Sequence, residues 1–241
     1  MFLIKLRFFL SSSLVIGTCL CAVEYDYSSG AKGPANWKSL SGSSCGDSSQ
    51  SPIDINTSES VPNLNELGTF TIKYLDEMID AVSKNNGHAW DFRQLPSSDK
   101  FTISGAGLEE DYQLDGIHFH WGESDTKGSE HTVDGKSSPL EMHMVHHKGS
   151  LTIAEAVSSE EGLAVLGFLF EISGEDNEYL VPILSNMGPE KTVASVDTTT
   201  IDSPIFLKKL IAPATAGLYY YRYTGSLTTP LCNEVVIWSV F

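Results

Sequence analysis

The chain has 241 residues, with 31 Asp and Glu against 15 Lys and Arg, for a formal charge of −16. No basic patch is visible, which excludes nucleic acid and an anionic membrane surface as natural partners and leaves solubility, or attraction for cations such as calcium, as what the charge provides. No Pro/Gly/Ser linker, repeat or low-complexity tract divides the chain after its first residues, so one domain is expected.

Residues 1–22, MFLIKLRFFLSSSLVIGTCLCA, place Lys5 and Arg7 before an apolar stretch and end on small residues. That is the layout of a secretory signal peptide cleaved before Val23, so the domain is expected over 23–241 and the protein outside the cell. A membrane anchor is the alternative, but Ser11 to Ser13 interrupt the apolar stretch, and it falls short of the ~18 residues a spanning helix needs. A lipid on Cys19 or Cys21 lacks a good lipobox. Cleavage would take the formal charge to −18 and leave Cys45 and Cys232 as the remaining cysteines. An oxidising compartment would let these two pair across nearly the whole domain; two free thiols are the alternative. Asn56-Thr57-Ser58 is an N-glycosylation acceptor.

Residues 28–51, rich in Gly, Ser and Pro, read as a loop-dominated wrap. Strand-like runs follow: FTIKYL at 70–75, KFTIS at 100–104, LDGIHFHW at 114–121 and LEMHMVHH at 140–147. LAVLGFLFEI at 163–172, LYYYRYTG at 218–225 and EVVIWSVF at 234–241 continue the series, while YLVPILSNM and SPIFLKKLI are the best short helices. The fold expected is mainly β (α+β), one large twisted, mostly antiparallel sheet with a few short helices. The last residue, Phe241, lies inside an apolar run of strand composition, and the natural chain is expected to continue beyond it.

All seven histidines fall between His88 and His147. Alternate side chains of a strand share a face, so His118 and His120 point together while Phe119 points away. The same parity groups Glu141, His143, Val145 and His147 against Met142, Met144 and His146. If the two strands are neighbours, three imidazoles converge, and three neutral imidazoles with an open fourth position make a catalytic zinc site. Glu141 is placed to receive the second N–H of an imidazole ligand. Packing histidines are the plain alternative. His-x-His followed by Glu123 and a distant histidine also suits an iron or manganese cupin, whereas the zinc-protease HExxH is absent.

With GPANW at 33–37, QSPIDI at 50–55, NNGHAW at 85–90, IHFHWG at 117–122, GSEHTVDG at 128–135, LEMHMVHH at 140–147, GLAVLG at 162–167 and GSLTTP at 225–230, the sequence resembles an α-class carbonic anhydrase from Tyr27 onward. These motifs displace the cupin, which leaves SEHTVD and SLTTP unexplained. The resemblance implies the α-carbonic anhydrase fold, a Zn2+ cofactor and reversible hydration of carbon dioxide to bicarbonate and a proton through a zinc-bound hydroxide. It assigns His118, His120 and His143 as zinc ligands, with Glu141 behind His143. Thr228 would accept a hydrogen bond from the hydroxide and pass its own proton toward Glu130, with Thr229 in the bicarbonate site. Val145, Val165, Leu227 and Trp238 match the apolar wall facing carbon dioxide. His88 matches the proton shuttle, and Asn86 and Tyr27 match polar groups that order its water. His131 fits a buried structural histidine, and His146 and His147 are read as structural or solvated.

Gly116 departs from the family, which commonly has there a glutamine that orients the ligand two residues on; such a loss typically costs 10–100-fold in metal affinity or activity. The rival function is a non-catalytic secreted acidic binding module of the same fold. In either case a monomer is expected, with no stable membrane insertion once the leader is removed.

Overall fold

A computed structural model describes residues 24–63, 67–74, 78–85, 89–94, 101–185, 198–200, 204–216 and 219–241. The expected leader, His88 and Asn86 lie outside the described residues. The wrap is as expected, loops around one short 3-10 helix, Pro34–Ser39. The disulfide expected in an oxidising compartment is formed between Cys45 and Cys232, 187 positions apart, so the free-thiol alternative falls away. Beside it Ser44 N–H donates to Leu231 O, tying the wrap to the far end of the chain.

Strands in chain order are β1 (Asp54–Ile55), β2 (Phe70–Ile72), β3 (Ala81–Asn85), β4 (Trp90–Gln94), β5 (Thr102–Gly105), β6 (Tyr112–Trp121) and β7 (Thr132–Val133). There follow β8 (Lys136–Ser137), β9 (Leu140–Lys148), β10 (Leu163–Phe170), β11 (Thr198–Thr200), β12 (Tyr221–Gly225) and β13 (Val236–Val240). Ten of them form one sheet in the order β11-β3-β4-β6-β9-β10-β13-β12, with β5 joining β6 and β2 joining β5. Its pairings are antiparallel except β10 with β13. The remaining β1, β7 and β8 make a small sheet of their own.

Two strands at the centre explain themselves from composition. β10, LAVLGFLF, carries no polar residue because both its faces are covered. Ala164, Leu166 and Phe168 enter one core, while Leu163 and Val165 enter the other. β9 alternates in polarity although both its faces are buried, with Met142 and Met144 in the larger core and Glu141 and His143 on the other face.

β6 is less simple. Its register with β9 shifts between Leu114 and Gly116, leaving Asp115 as the extra residue of a bulge. The bulge reverses parity. Tyr112 and Leu114 therefore share the larger core with Ile117 and Phe119, and the whole other face of the distal half is left to His118 and His120. Without it, those imidazoles would share a face with Tyr112 and Leu114.

Short helices close both cores, α1 the smaller and α2 and α3 the larger. α1 (Ile153–Ala156) starts with a capping box between Thr152 and Glu155. α2 (Val181–Leu184) buries Ile183, and α3 (Leu207–Ala216) buries Leu207, Leu210 and Ile211 at helical spacing. α2 lies in the first stretch read as helical, while α3 begins in the second and runs on past it to Ala216. Differences from expectation are β3 and β4, which no strand-like run anticipated, and β2, which stops at Ile72, after which Tyr74 turns fully into the core.

His146 is structural. Its Nδ1–H donates to Ala164 O at 3.2 Å, so Nε2 must accept the 2.7 Å hydrogen bond from the Tyr74 hydroxyl. Burial pushes the imidazole down to about 3, outweighing the backbone hydrogen bonds that favour its charge. A depressed value means its contribution to stability is complete above the unfolded-state value near 6.5 and is lost as pH falls from there toward 3. Each unit in that window costs about 1.4 kcal/mol. Urea titrations of metal-free protein from pH 7 to 4.5 should show stability falling one proton less steeply in His146→Leu; equal slopes would refute the assignment.

Candidate metal centre and active site

The register of β6 and β9 sets His118 opposite His143 and His120 opposite Glu141. The three imidazole centroids lie 5.0, 5.1 and 4.7 Å apart, and one nitrogen from each falls within 4.8 Å of the others. His118 Nε2 and His143 Nδ1 are 3.2 Å apart. A tetrahedral ion bonded at about 2.0–2.1 Å sets its ligand nitrogens about 3.3–3.4 Å apart, so this pair already stands at ligand spacing. His120 Nε2 is buried without a hydrogen bond among the described residues. Glu130 Oε2 stands 3.3 Å away without making a hydrogen bond to it, so coordination would give this nitrogen its partner. The residues fit a divalent metal ion.

The electrostatics keep the donors available. Burial pushes His118 down to about 3 and His120 well below the ordinary imidazole range, and the neighbouring imidazoles act in the same direction. Both are therefore neutral at pH 7, with lone pairs to share. Burial also opposes a charge on Glu141, but His143 and His131 outweigh it and hold the carboxyl well below its usual range. Burial opposes a charge on His143 too, and Glu141 reverses that and raises it.

Glu141 is fully buried and fully used. Oε2 accepts from the backbone N–H groups of Glu130 and His131 at 2.9 and 2.8 Å, and Oε1 faces His131 Nδ1 at 2.6 Å and His143 Nε2 at 2.7 Å. Gly167, opposite His143, leaves it room: a Cβ there would stand 3.2 Å from Oε1. His131 Nε2 continues to the Tyr223 hydroxyl at 2.6 Å, and that hydroxyl to Ser51 Oγ at 2.9 Å. Ser51 Oγ then accepts from Ser226 N–H at 3.0 Å. The chain of bonds thus runs from His143 to the loop carrying Thr228 and Thr229. His131, Glu141 and His143 also cluster closely enough to suggest a second metal site, but their atoms are spent on one another.

These imidazoles lie at the floor of a cavity of about 160 Å³. Val145, Val165, Leu227 and Trp238 line one side, Thr228 and Thr229 reach it from the loop after β12, and Tyr27 stands at its edge, half-exposed. Thr228 is hydrogen-bonded to the Glu130 carboxyl, which burial pushes up to about 7 against the pull of His143 and that bond.

Three lining residues, Tyr25, Ala89 and Asp91, escaped the sequence reading. Tyr25 is hydrogen-bonded to Thr229 through its side chain, and its ring packs edge-on against Trp37. Asp91 sits on β4 opposite His118. Its signal was present in AWDF: Trp90 and Phe92 face the core, which turns Ala89 and Asp91 to the cavity.

Residues 32–241 match the family model of the eukaryotic-type carbonic anhydrase. The chain belongs to this family. It is 35% identical to carbonic anhydrase 4 of Oryctolagus cuniculus over 210 residues, which cover 87% of this chain and 65% of the relative. It is 37% identical to carbonic anhydrase 7 of Homo sapiens over 212 residues, 86% of this chain and 76% of the relative. Carbonic anhydrase 15 of Mus musculus is 36% identical over 223 residues, 90% and 67% respectively. The chain thus spans about two thirds of the rabbit relative's length.

At Gly116, where the family commonly has a glutamine, the surroundings are tight. A Cβ on Gly116 would stand 3.2 Å from Phe92 O and 3.5 Å from Arg93 Cγ, so the Arg93 stem already occupies that side. Support for the metal ligands rests visibly on Glu141. Glu141→Gln leaves the volume unchanged but gives up the charge and cannot accept all four bonds. It should weaken metal affinity by about 10–100-fold, read by competition with a chelator dye; unchanged affinity would show Glu141 to be packing alone.

Proposed function

We propose that this is a secreted zinc enzyme that interconverts carbon dioxide and bicarbonate. The observation that carries the reading is the convergence of three imidazole nitrogens in a cavity with one apolar side. When bound, a divalent ion on such ligands supplies a Lewis acid that lowers the pKa of a coordinated water to about 7, as is general for carbonic anhydrases.

The chain's own residues do the rest. His118, His120 and His143 add no negative charge, so they leave the ion's full charge on the open position. Thr228 donates its hydroxyl proton to the Glu130 carboxylate, so its oxygen can only accept. A nearby cation favours the ionised form of Glu130 and so this arrangement. A water held beside Thr228 must then donate to it, which turns a lone pair toward Val145, Val165, Leu227 and Trp238. Those side chains offer no hydrogen bonds, which suits an uncharged substrate without a dipole, while Thr229 offers a polar contact for bicarbonate. His88 accepts the proton released in each turnover and carries it to buffer, the task imidazoles suit near neutral pH, through water ordered by Asn86 and Tyr27.

Support for secretion comes from residues 1–22 and the Cys45–Cys232 disulfide, a bond of oxidising compartments. Asn56 is exposed in a turn after β1, with its side-chain oxygen accepting from Ser58, and is the proposed glycosylation site. No helix among the described residues is long and apolar enough to cross a membrane. The protein is proposed to act as a monomer.

Stopped-flow hydration of carbon dioxide tests the reading. Turnover above the buffer rate, abolished by a chelator and restored by zinc, is expected; rates equal to buffer in every sample would leave a non-catalytic acidic binding module. His88→Ala should turn over more slowly at low buffer and recover with added imidazole, and an unchanged rate would remove His88 from the path.

A further inference from the structure

Glu141 stands against His143 at 2.7 Å and Glu130 3.3 Å from His120, whereas no carboxylate pairs with His118 among the described residues. What holds His118 is its strand. β4 meets β6 at Asp91 with His118 and at Phe92 with Ile117, so Arg93, next along β4, comes level with the bulge of β6. The Arg93 stem runs past Gly116, where an added Cβ would stand 3.5 Å from its Cγ. Its Nη1 then donates to Asp115 Oδ2 at 2.9 Å. The Asp115 side chain is 17% exposed and that of Arg93 50%, so a mostly covered carboxylate finds its cation across the strand gap. Asp115 is the extra residue of the bulge, and the bulge is what turns His118 and His120 to the cavity. If that residue slid back into the ladder, β6 would shift by one and both imidazoles would turn to the other face.

We propose that Arg93 and Asp115 are positioning residues of the metal site: their clasp across β4 and β6 fixes the bulge, and with it the register that holds His118 at ligand spacing. This rests on the metal-site reading above. The clasp supports His118 through the backbone, as Glu141 supports His143 through a hydrogen bond. Charge and position act in opposite directions at Arg93. It is a cation near a cation site, so by Coulomb's law alone its removal would tighten metal binding. Asp115 is an anion, and its removal would loosen binding on either ground. A positioning role makes both removals loosen it, so the sign at Arg93 separates the two effects.

The test is zinc affinity of the full chain, read by competition with a chelator dye. Arg93→Met keeps the stem and Asp115→Asn keeps the volume, and each should weaken zinc binding by about three- to tenfold, below the loss of a group that touches a ligand directly. The double variant should bind no more weakly than Asp115→Asn alone, because both changes remove one contact. The 2.9 Å bond is made by a single nitrogen, so Arg93→Lys can restore it and should stay within about twofold of the parent. Lys73→Met removes the same charge at the surface pair with Asp111 and should leave the affinity unchanged. Equal or tighter zinc binding in Arg93→Met, losses that add in the double variant, or an equal loss in Lys73→Met would overturn the proposal. A parent that binds no zinc would instead defeat the metal site, and the role of the clasp with it.

Discussion

His143→Ala should lose its metal during dialysis against a chelator and hydrate carbon dioxide no faster than buffer. A four-ligand zinc site binds with roughly 10–16 kcal/mol, so one imidazole carries about 3–4, a factor of roughly 10²–10³ in affinity. The damage does not stop at the vacant ligand. Glu141 is fully buried and faces His143 Nε2 at 2.7 Å, so removing the ring strips its carboxylate of a charge-assisted partner. Breaking a buried pair on one side costs about 3–5 kcal/mol of stability. Zinc content, hydration rate and urea midpoint measured on the same sample check all three effects. A variant that keeps its metal and its rate would place the reaction elsewhere.

The second large effect is on the disulfide. Cys45 and Cys232 close a loop with a sequence separation of 187, and constraining so long a loop in the unfolded chain is worth about 5 kcal/mol in the chain-entropy model. The bridge also anchors the segment next to Thr229, whose carbonyl accepts from Cys232 N–H at 2.8 Å. The double variant Cys45→Ser/Cys232→Ser should therefore lose about 5 kcal/mol in denaturant unfolding and melt some 10–20 °C lower. A loss below about 1 kcal/mol would mean that the unfolded chain is compact enough without the bridge.

The central site was legible because its grammar is local. A two-residue period in HFH and in EMHMV is enough to group His118 with His120 and Glu141 with His143, given only that the strands are neighbours. The three imidazoles meet as that parity requires. The apolar side was harder: Val145, Val165 and Trp238 have the composition of any core, and only the family resemblance separated wall from filling.

What stayed hidden depends on register. Nothing in LDGIHFHW announces that Asp115 is the odd residue of a bulge, yet that one insertion decides which half of β6 faces the cavity. Asp91 and Tyr25 come from strands and loops distant in sequence, and their meeting with His118 and Thr229 follows from pairings that no local pattern encodes. The same holds for the parallel junction of β10 and β13, which brings Trp238 opposite Val165. His146 could be read as structural or solvated from its position, and only the Tyr74 and Ala164 contacts decide for the interior.

Elemental analysis of the purified protein tests the central claim most directly. The account predicts one zinc ion per chain, lost together with hydration activity on chelation and regained together with it when zinc is returned. Protein that carries no stoichiometric metal after exposure to zinc, or that binds it equally well with His118, His120 and His143 all replaced by alanine, would contradict it.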